Sequence, residues 1–175
     1  VPGDSNQDRK GCIDTDGDGY SNIDEFWTRY SGGDVYPQDP TQWADSDGDG
    51  YGDNPGTVIS DDCVEIAGDS TIDRMGCPDF DSDGYSDPTA NWNTSSGADA
   101  CSTVIGNSTQ DRFGCFDSDG DGYSNKDSNW GYSDGADGYP DDPLRWGPPP
   151  TSEGASFVTI SLSLIHISEP TRRLV

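Results

Sequence analysis

The chain has 175 residues, of which 34 are acidic and 9 are basic, and its formal net charge is -25 at pH 7. Leu, Ile, Val and Phe together number only 25, and nine of these fall in the last 21 positions, so hydrophobic burial alone cannot offset the conformational entropy of the chain. The acidic excess excludes nucleic-acid binding, because phosphates require basic partners.

The first predicted element is the acidic segment D-T-D-G-D-G-Y-S-N-I-D-E over residues 14–25, called loop one here. Three carboxylates within five residues repel one another unless a hard cation with six to eight oxygen ligands binds them. In an EF-hand-type register, a backbone carbonyl serves at position 7 and a bidentate acid at position 12. The predicted ligands are Asp14, Asp16, Asp18, Tyr20, Asn22 and Glu25. A helix of one or two turns is expected over residues 22–30.

The same motif begins again in loop two (residues 45–56), loop three (79–90) and loop four (117–128). These copies have no acid at position 12, where Gly56, Ala90 and Ser128 stand, so each needs another ligand or a water there. A single copy could be a solvated acidic run, but four copies in register favour at least four Ca²⁺ ions whose binding is coupled to folding. Their predicted ligands are Asp45, Asp47, Asp49, Tyr51 and Asp53; Asp79, Asp81, Asp83, Tyr85 and Asp87; and Asp117, Asp119, Asp121, Tyr123 and Asn125.

Two further sets of aspartates keep a fixed register to the loops. The leading set lies six residues before each first aspartate, and the connector set lies 16 or 20 residues after it. Both are auxiliary candidates for the missing ligands or for a second ion in each unit, and the alternative is that they only solubilise the connectors. The leading set is Asp8, Asp39, Asp73 and Asp111, and the connector set is Asp34, Asp61, Asp99 and Asp137.

Two kinds of connector separate the loops. The short kind reads D-V-Y-P-Q-D-P-T-Q-W over residues 34–43 and returns over residues 137–146. The long kind contains two cysteines, and we predict disulfides from Cys63 to Cys77 and from Cys101 to Cys115, each stabilising the fold by about 3 kcal/mol. Such bonds indicate an oxidising compartment. Zinc is disfavoured because neither a histidine nor C-x2-C spacing accompanies these cysteines.

The remaining cysteine and the tryptophans follow the same register. Cys12 corresponds to Cys77, so we expect its partner to precede Val1 and the chain to begin inside a repeat. Tryptophans at fixed offsets from the loops are expected to pack against neighbouring units, and stacking on carbohydrate is the alternative. The repeat units predicted from this register span residues 1–57, 58–100 and 101–146.

The D-x-D-G-D-G-Y-S-N/D motif, repeated with interleaved cysteines and Asp-Pro connectors over residues 3–146, resembles thrombospondin type 3 repeats. It is most similar to their prokaryotic relatives in secreted and cell-surface proteins. The resemblance implies a calcium-wrapped stalk with almost no regular secondary structure. We therefore expect an irregular repeat array with few short helices or strands, stapled by disulfides into an elongated rod.

The repeat pattern stops after Trp146. A Pro-rich linker is predicted over residues 147–156. In the tail, residues 157–175, the alternation V-T-I-S-L-S-L is typical of a β-strand, whereas S-L-S-L-I-H-I-S-E-P-T-R-R also resembles translated sequencing-adapter read-through, and both explanations stay open. The apolar stretch of about 11 residues is too short for a membrane span, which needs about 20.

No enzymatic motif accompanies the acidic loops. The only histidine is His166, and carboxylates saturated by calcium have no free lone pair for general-base catalysis. Asn93 and Asn107 begin N-glycosylation sequons. We expect a secreted or cell-surface calcium-binding protein that is a stalk, spacer or fibre subunit, with further repeats or identical subunits as partners. The alternative is a calcium-dependent adhesin that recognises glycan or matrix through exposed aromatic side chains.

Overall fold

Irregular backbone dominates the structure, a computed structural model that describes residues 3–149. Regular elements in that range are two short 3₁₀ helices, η1 (Arg29–Ser31) and η2 (Thr94–Ser96), together with four isolated β-bridges. The expectation of an irregular chain with very few helices or strands is confirmed. The predicted tail strand, and the linker beyond residue 149, lie outside the described residues.

The helix predicted over residues 22–30 is wrong. The N–H of Ile23 donates to the carbonyl of Asp34 at 3.2 Å, which pairs this segment with a distant part of the chain. The carboxylate of Asp24 then accepts the N–H of Phe26 at 2.8 Å. Asp side chains that take nearby backbone N–H groups favour turns over helices, so the chain turns here before the single turn of η1.

Each acidic loop is closed by one backbone hydrogen bond. The N–H at position 9 donates to the carbonyl of the residue that precedes the first aspartate, at 2.8 to 2.9 Å in all four loops. The glycine at position 6 has φ between 95° and 103° in every loop, a left-handed conformation that residues with a Cβ rarely adopt. The four pairs of residues in the closing bond are Asn22 and Ile13, Asp53 and Ala44, Asp87 and Pro78, and Asn125 and Phe116.

The interior is polar rather than apolar. Among the described residues the buried hydrophobic side chains are two cysteines, two alanines and Tyr85, whereas the buried polar set includes six aspartates and six serines. Large apolar groups such as Phe26 and Val58 are more than four-fifths exposed. Hydrogen bonds, disulfides and electrostatics must therefore supply most of the specificity of this fold.

In three of the loops an aspartate and a serine hold the incoming and outgoing chain together. The leading aspartate accepts both the N–H and the hydroxyl of the serine at position 8, which is completely buried. The indole N–H of Trp27 adds a hydrogen bond to the first of these carboxylates at 3.0 Å, and that of Trp92 adds one to the second at 3.2 Å. The pairs are Asp8 with Ser21, Asp73 with Ser86, and Asp111 with Ser124.

Loop two is held differently, by the completely buried side chain of Gln42. Its Oε1 accepts the N–H of Asn54 at 2.9 Å, and its Nε2 donates to the carbonyl of Asn54 at 2.8 Å and to the hydroxyl of Thr57 at 2.6 Å. Gly52 replaces the serine at position 8, and a Cβ there would lie 2.2 Å from the Gln42 side chain. The glycine and the glutamine are therefore a matched pair.

Aromatic contacts and disulfides fasten the connectors that follow the loops. The tyrosine at position 7 packs on an aromatic ring further along the chain, with ring centroids 4.6 Å apart for Tyr20 and Trp43. The other two such pairs are Tyr85 with Phe113 at 5.7 Å and Tyr123 with Trp146 at 5.2 Å. Disulfides join Cys63 to Cys77 and Cys101 to Cys115, while Cys12 has a free thiol.

We expect Gln42→Ala to lower the free energy of unfolding by about 2 to 4 kcal/mol, because the partly buried backbone groups of Asn54 lose their hydrogen-bond partners and the buried Gln42 side chain is removed. Denaturant unfolding followed by tryptophan fluorescence measures this loss. Gln38→Ala is the matched control, since Gln38 is exposed in the same connector. An equal effect of the two substitutions would contradict the role assigned to Gln42.

Candidate metal centres

Four groups of three carboxylates form the centres of the candidate sites. In each loop, one carboxylate oxygen from positions 1, 3 and 5 lies within 4.8 Å of the other two. Three acids at this spacing could hold a metal ion, and all the donor atoms are hard oxygens. The groups are Asp14, Asp16 and Asp18; Asp45, Asp47 and Asp49; Asp79, Asp81 and Asp83; and Asp117, Asp119 and Asp121.

Backbone N–H groups orient these carboxylates. In loop one the two oxygens of Asp14 accept the N–H groups of Gly17 at 2.7 Å and Gly19 at 2.9 Å. One oxygen of Asp18 accepts the N–H of Tyr20 at 2.7 Å. The pattern recurs in the other loops, so backbone N–H groups orient the acids at positions 1 and 5 of every loop.

Several loop oxygens are buried but accept no hydrogen bond. A buried carboxylate oxygen without a partner is strongly unfavourable. A cation bound in each loop would supply a partner for the unpartnered oxygens of that loop. The unpartnered atoms are the Oδ2 atoms of Asp16, Asp18, Asp47, Asp119 and Asp121, both carboxylate oxygens of Asp81, and Oδ1 of Asp87.

The connector set of aspartates brings a fourth carboxylate to each loop. Asp34, Asp61, Asp99 and Asp137 are at most 6% exposed. In each, the backbone N–H donates to the carbonyl at position 8 of the preceding loop, at 2.8 to 3.0 Å. Their Oδ1 atoms accept the N–H of the residue two positions further on, at 2.6 to 2.8 Å. Their Oδ2 atoms are buried and have no partner.

The pKa values of the connector acids reflect the same surroundings. Burial, followed by the charges of nearby loop acids, raises the pKa of Asp34 and of Asp61 to about 6. The pKa of Asp99 rises to about 7 for the same reasons, and that of Asp137 is also raised. Each of these acids interacts with the carboxylates of the loop that precedes it, so it belongs electrostatically to that loop.

Position 12 of the loops lacks the burial that the connector acids have. Glu25 is exposed, and so are Gly56, Ala90 and Ser128 in the other loops. The buried acid without a partner beside loop one is Asp34 instead. The sequence predicted that loops two to four need a ligand from outside the loop. A buried connector acid with an unpartnered oxygen accompanies each of these loops, and loop one as well.

The leading set of aspartates occupies a different environment. Asp8, Asp73 and Asp111 use their carboxylates to bind the buried serines, and Asp39 accepts the N–H of Thr41 at 3.0 Å. None of the four has a buried oxygen that lacks a partner. The structure thus separates two sets that the sequence presents as equivalent.

The two predicted N-glycosylation sites lie outside the acidic loops. Asn93 and Asn107, the sequon asparagines, are both exposed. Oδ1 of Asn93 accepts the N–H of Ser95 at 3.0 Å, and Oδ1 of Asn107 accepts the N–H of Asp117 at 3.1 Å. Their glycosylation stays a prediction.

Sequence reasoning missed two groups near loop two. One is Gln42, which carries no motif signal. The other is the phenol of Tyr36, whose hydroxyl is buried without a hydrogen-bond partner. Burial, followed by the charges of Asp45, Asp49 and Asp53, raises the pKa of Tyr36 far above its ordinary value. The phenol therefore stays protonated and can donate a hydrogen bond near this loop.

Comparison of the sequence with models of known protein families and with curated proteins found no match. Across residues 3–149 the structure contains no helix with the length and apolar character needed to cross a membrane.

We expect Asp34→Asn to weaken cation binding at loop one by about tenfold or more, because it removes a buried charge that interacts with the loop acids. Calorimetric titration with calcium measures the affinity. Glu25→Gln is the matched control and should leave the isotherm unchanged, since Glu25 is exposed. A loss confined to Glu25→Gln would instead support the position-12 assignment.

Cation affinity should fall as the pH is lowered from about 7 through about 6, the raised pKa values of Asp99, Asp34 and Asp61. A cation binds the deprotonated acids, so binding in this range must release protons. The same shifts stabilise the cation-free fold at low pH, and this contribution is lost as the pH rises through the folded pKa values. Calorimetry at pH about 6 in buffers of different ionisation enthalpy measures the release. Identical heats in all buffers would contradict the prediction.

Proposed function

We propose that this protein is a calcium-binding structural protein built on repeats of the thrombospondin type 3 kind, acting outside the cell as a stalk, spacer or fibre subunit. One observation carries the proposal. Four loops each combine three closely spaced aspartates with a buried connector aspartate whose Oδ2 has no partner. Clustered carboxylates with buried, unpartnered oxygens are strongly unfavourable unless a cation binds in each loop.

The donor set favours calcium over other ions. Carboxylates and backbone carbonyls are oxygen donors, which suit Ca²⁺, Mg²⁺ and Mn²⁺ rather than zinc or copper. Ca²⁺ accepts six to eight such ligands in flexible geometry, whereas Mg²⁺ demands a small octahedron and retains several waters. A loop that brings three acids, the Tyr carbonyl at position 7 and a connector acid to one ion matches the larger cation better.

The connections between units support a mechanical role. The connector acids of loops one to three lie at their loops while the residues that follow them lead to the next loop, so one ion can fasten two successive loops. Disulfides lie in the connectors after loops two and three, and contacts between a tyrosine and a second aromatic ring span the connectors after loops one, three and four. Disulfides persist in oxidising compartments, and extracellular calcium modules typically bind with dissociation constants of about 0.1 to 1 mM.

The tryptophan contacts give the adhesin alternative little support. The rings of Trp43 and Trp146 stack on tyrosines of the same chain. The indole N–H groups of Trp27 and Trp92 are hydrogen-bonded to aspartates. Because intramolecular contacts use these rings, we favour the structural role over glycan or matrix recognition, and we propose no enzymatic activity.

Removal of calcium should unfold or greatly expand the chain, because the repulsion within the four acid groups is then unopposed and the apolar interior is too small to compensate. Small-angle scattering gives the radius of gyration with calcium and with a chelator, and near-ultraviolet circular dichroism reports aromatic packing. Restoring calcium should reverse both changes, whereas equimolar magnesium should not. A radius that is the same with calcium and with chelator would contradict the proposal.

A further inference from the structure

Loop three differs from the other three loops at position 2. Loops one, two and four have a hydroxyl residue there, and loop three has Phe80, which is 77% exposed. In the other loops the residue at position 2 holds the side chain at position 9 by hydrogen bonds of 2.6 to 3.3 Å. The residues so paired are Thr15 with Asn22, Ser46 with Asp53, and Ser118 with Asn125.

The exchange of a hydroxyl residue for Phe80 releases the carboxylate at position 9. Phe80 has no hydroxyl to donate, and Oδ1 of Asp87 is buried without any partner. In loop two, by contrast, Asp53 has both oxygens engaged, by the N–H of Ser46 at 2.9 Å and its hydroxyl at 2.7 Å. Asp87 is therefore the one position-9 carboxylate in the described chain with a buried oxygen still available to an ion.

Loop three equals loop two in having five acids, at positions 1, 3, 5 and 9 and in the connector, but only in loop three does the acid at position 9 keep a buried oxygen without a hydrogen-bond partner. Its available acids include Asp87 and Asp99, the second of which is 1% exposed and has an unpartnered Oδ2. Loops one and four have an amide at position 9. Loop two has an acid there, but both of its oxygens accept hydrogen bonds from Ser46. The number of charged ligands is a main determinant of cation affinity in oxygen-donor loops.

We propose that loop three is the highest-affinity ion site and the one that selects trivalent over divalent cations, and that Phe80 confers this by leaving Asp87 free. The inference rests on the proposed calcium-binding function. The attraction of an additional carboxylate scales with the charge of the cation. A fifth carboxylate that can bind the ion through an oxygen free of hydrogen bonds therefore favours a trivalent ion such as La³⁺ over Ca²⁺ more strongly here than in the other loops.

Site-resolved NMR of the whole protein labelled with ¹⁵N tests this. The N–H of the glycine at position 6 donates to the first aspartate in each loop, at 2.7 to 3.2 Å, and so reports on its own site. La³⁺ is added to the calcium-loaded protein, and the amides of Gly19, Gly50, Gly84 and Gly122 are followed. Gly84 should respond at a La³⁺ concentration about tenfold lower than the other three. Under chelator titration of the calcium form, Gly84 should also be the last to change.

Three variants separate the role of Phe80 from a general effect on folding. Phe80→Ser should abolish the tenfold advantage of Gly84, because the new hydroxyl can hold Asp87. Ser46→Phe should confer the advantage on Gly50 by releasing Asp53. Phe26→Ser is the control, since it removes an 84% exposed phenylalanine outside the loops and should change nothing.

The outcomes distinguish this inference from the proposed function. If the four glycines respond to calcium but Gly84 shows no preference for La³⁺, or keeps its preference in Phe80→Ser, the inference is wrong and the calcium-binding function stands. If none of the four glycines responds to removal or addition of calcium, the proposed function itself fails. An unchanged amide spectrum outside loop three in the calcium form of Phe80→Ser shows that the variant is folded.

Discussion

Repulsion among buried aspartates is the constraint on which this structure depends. Among residues 3–149 six aspartates are buried, whereas the buried apolar side chains are few. Backbone N–H groups compensate one oxygen of most loop and connector acids, but the other oxygen is often left without a partner. The folded arrangement therefore favours the binding of cations, and under the proposed function we expect folding and ion binding to be coupled.

The connector acids explain how a local motif organises a longer segment. Asp61 accepts the N–H of Cys63 at 2.6 Å, and Cys63 is bonded to Cys77, two residues before loop three. The N–H of Gly68, inside the same disulfide loop, donates to Asp49 of loop two at 3.0 Å. The acids of one loop and the covalent link to the next are thus direct neighbours. A change at one loop is expected to reach the next through these few contacts.

Small substitutions on this common framework alter individual sites. Gln42 with Gly52 replaces the aspartate–serine pair that holds the other three loops. Phe80 replaces a hydroxyl residue and frees the acid at position 9. Each loop keeps the same closing hydrogen bond and the same left-handed glycine, so its backbone conformation stays constant. What varies between loops is the charge of the side chain at position 9 and the hydrogen bonds that it accepts.

The sequence by itself determined the features that depend on short spacings. Acids at positions 1, 3 and 5 must converge once glycine at position 6 turns the chain, and cysteines 14 residues apart can meet across a compact loop. The resemblance of the repeated motif to thrombospondin type 3 repeats likewise implied the irregular backbone. These properties arise within about 15 residues of chain, where side-chain type and backbone geometry leave few alternatives.

Only the tertiary structure decided which distant acids accompany each loop. By spacing alone Asp8 and Asp34 are equal auxiliary candidates, beside Glu25 as the predicted ligand at position 12. Asp34 lies buried beside loop one because its backbone N–H bonds the carbonyl of Ser21, whereas the carboxylate of Asp8 is used by the same serine. That pairing also removes the predicted helix over residues 22–30. Such choices depend on where the chain returns after 10 to 20 residues, and competing hydrogen bonds across that distance decide them rather than local propensity.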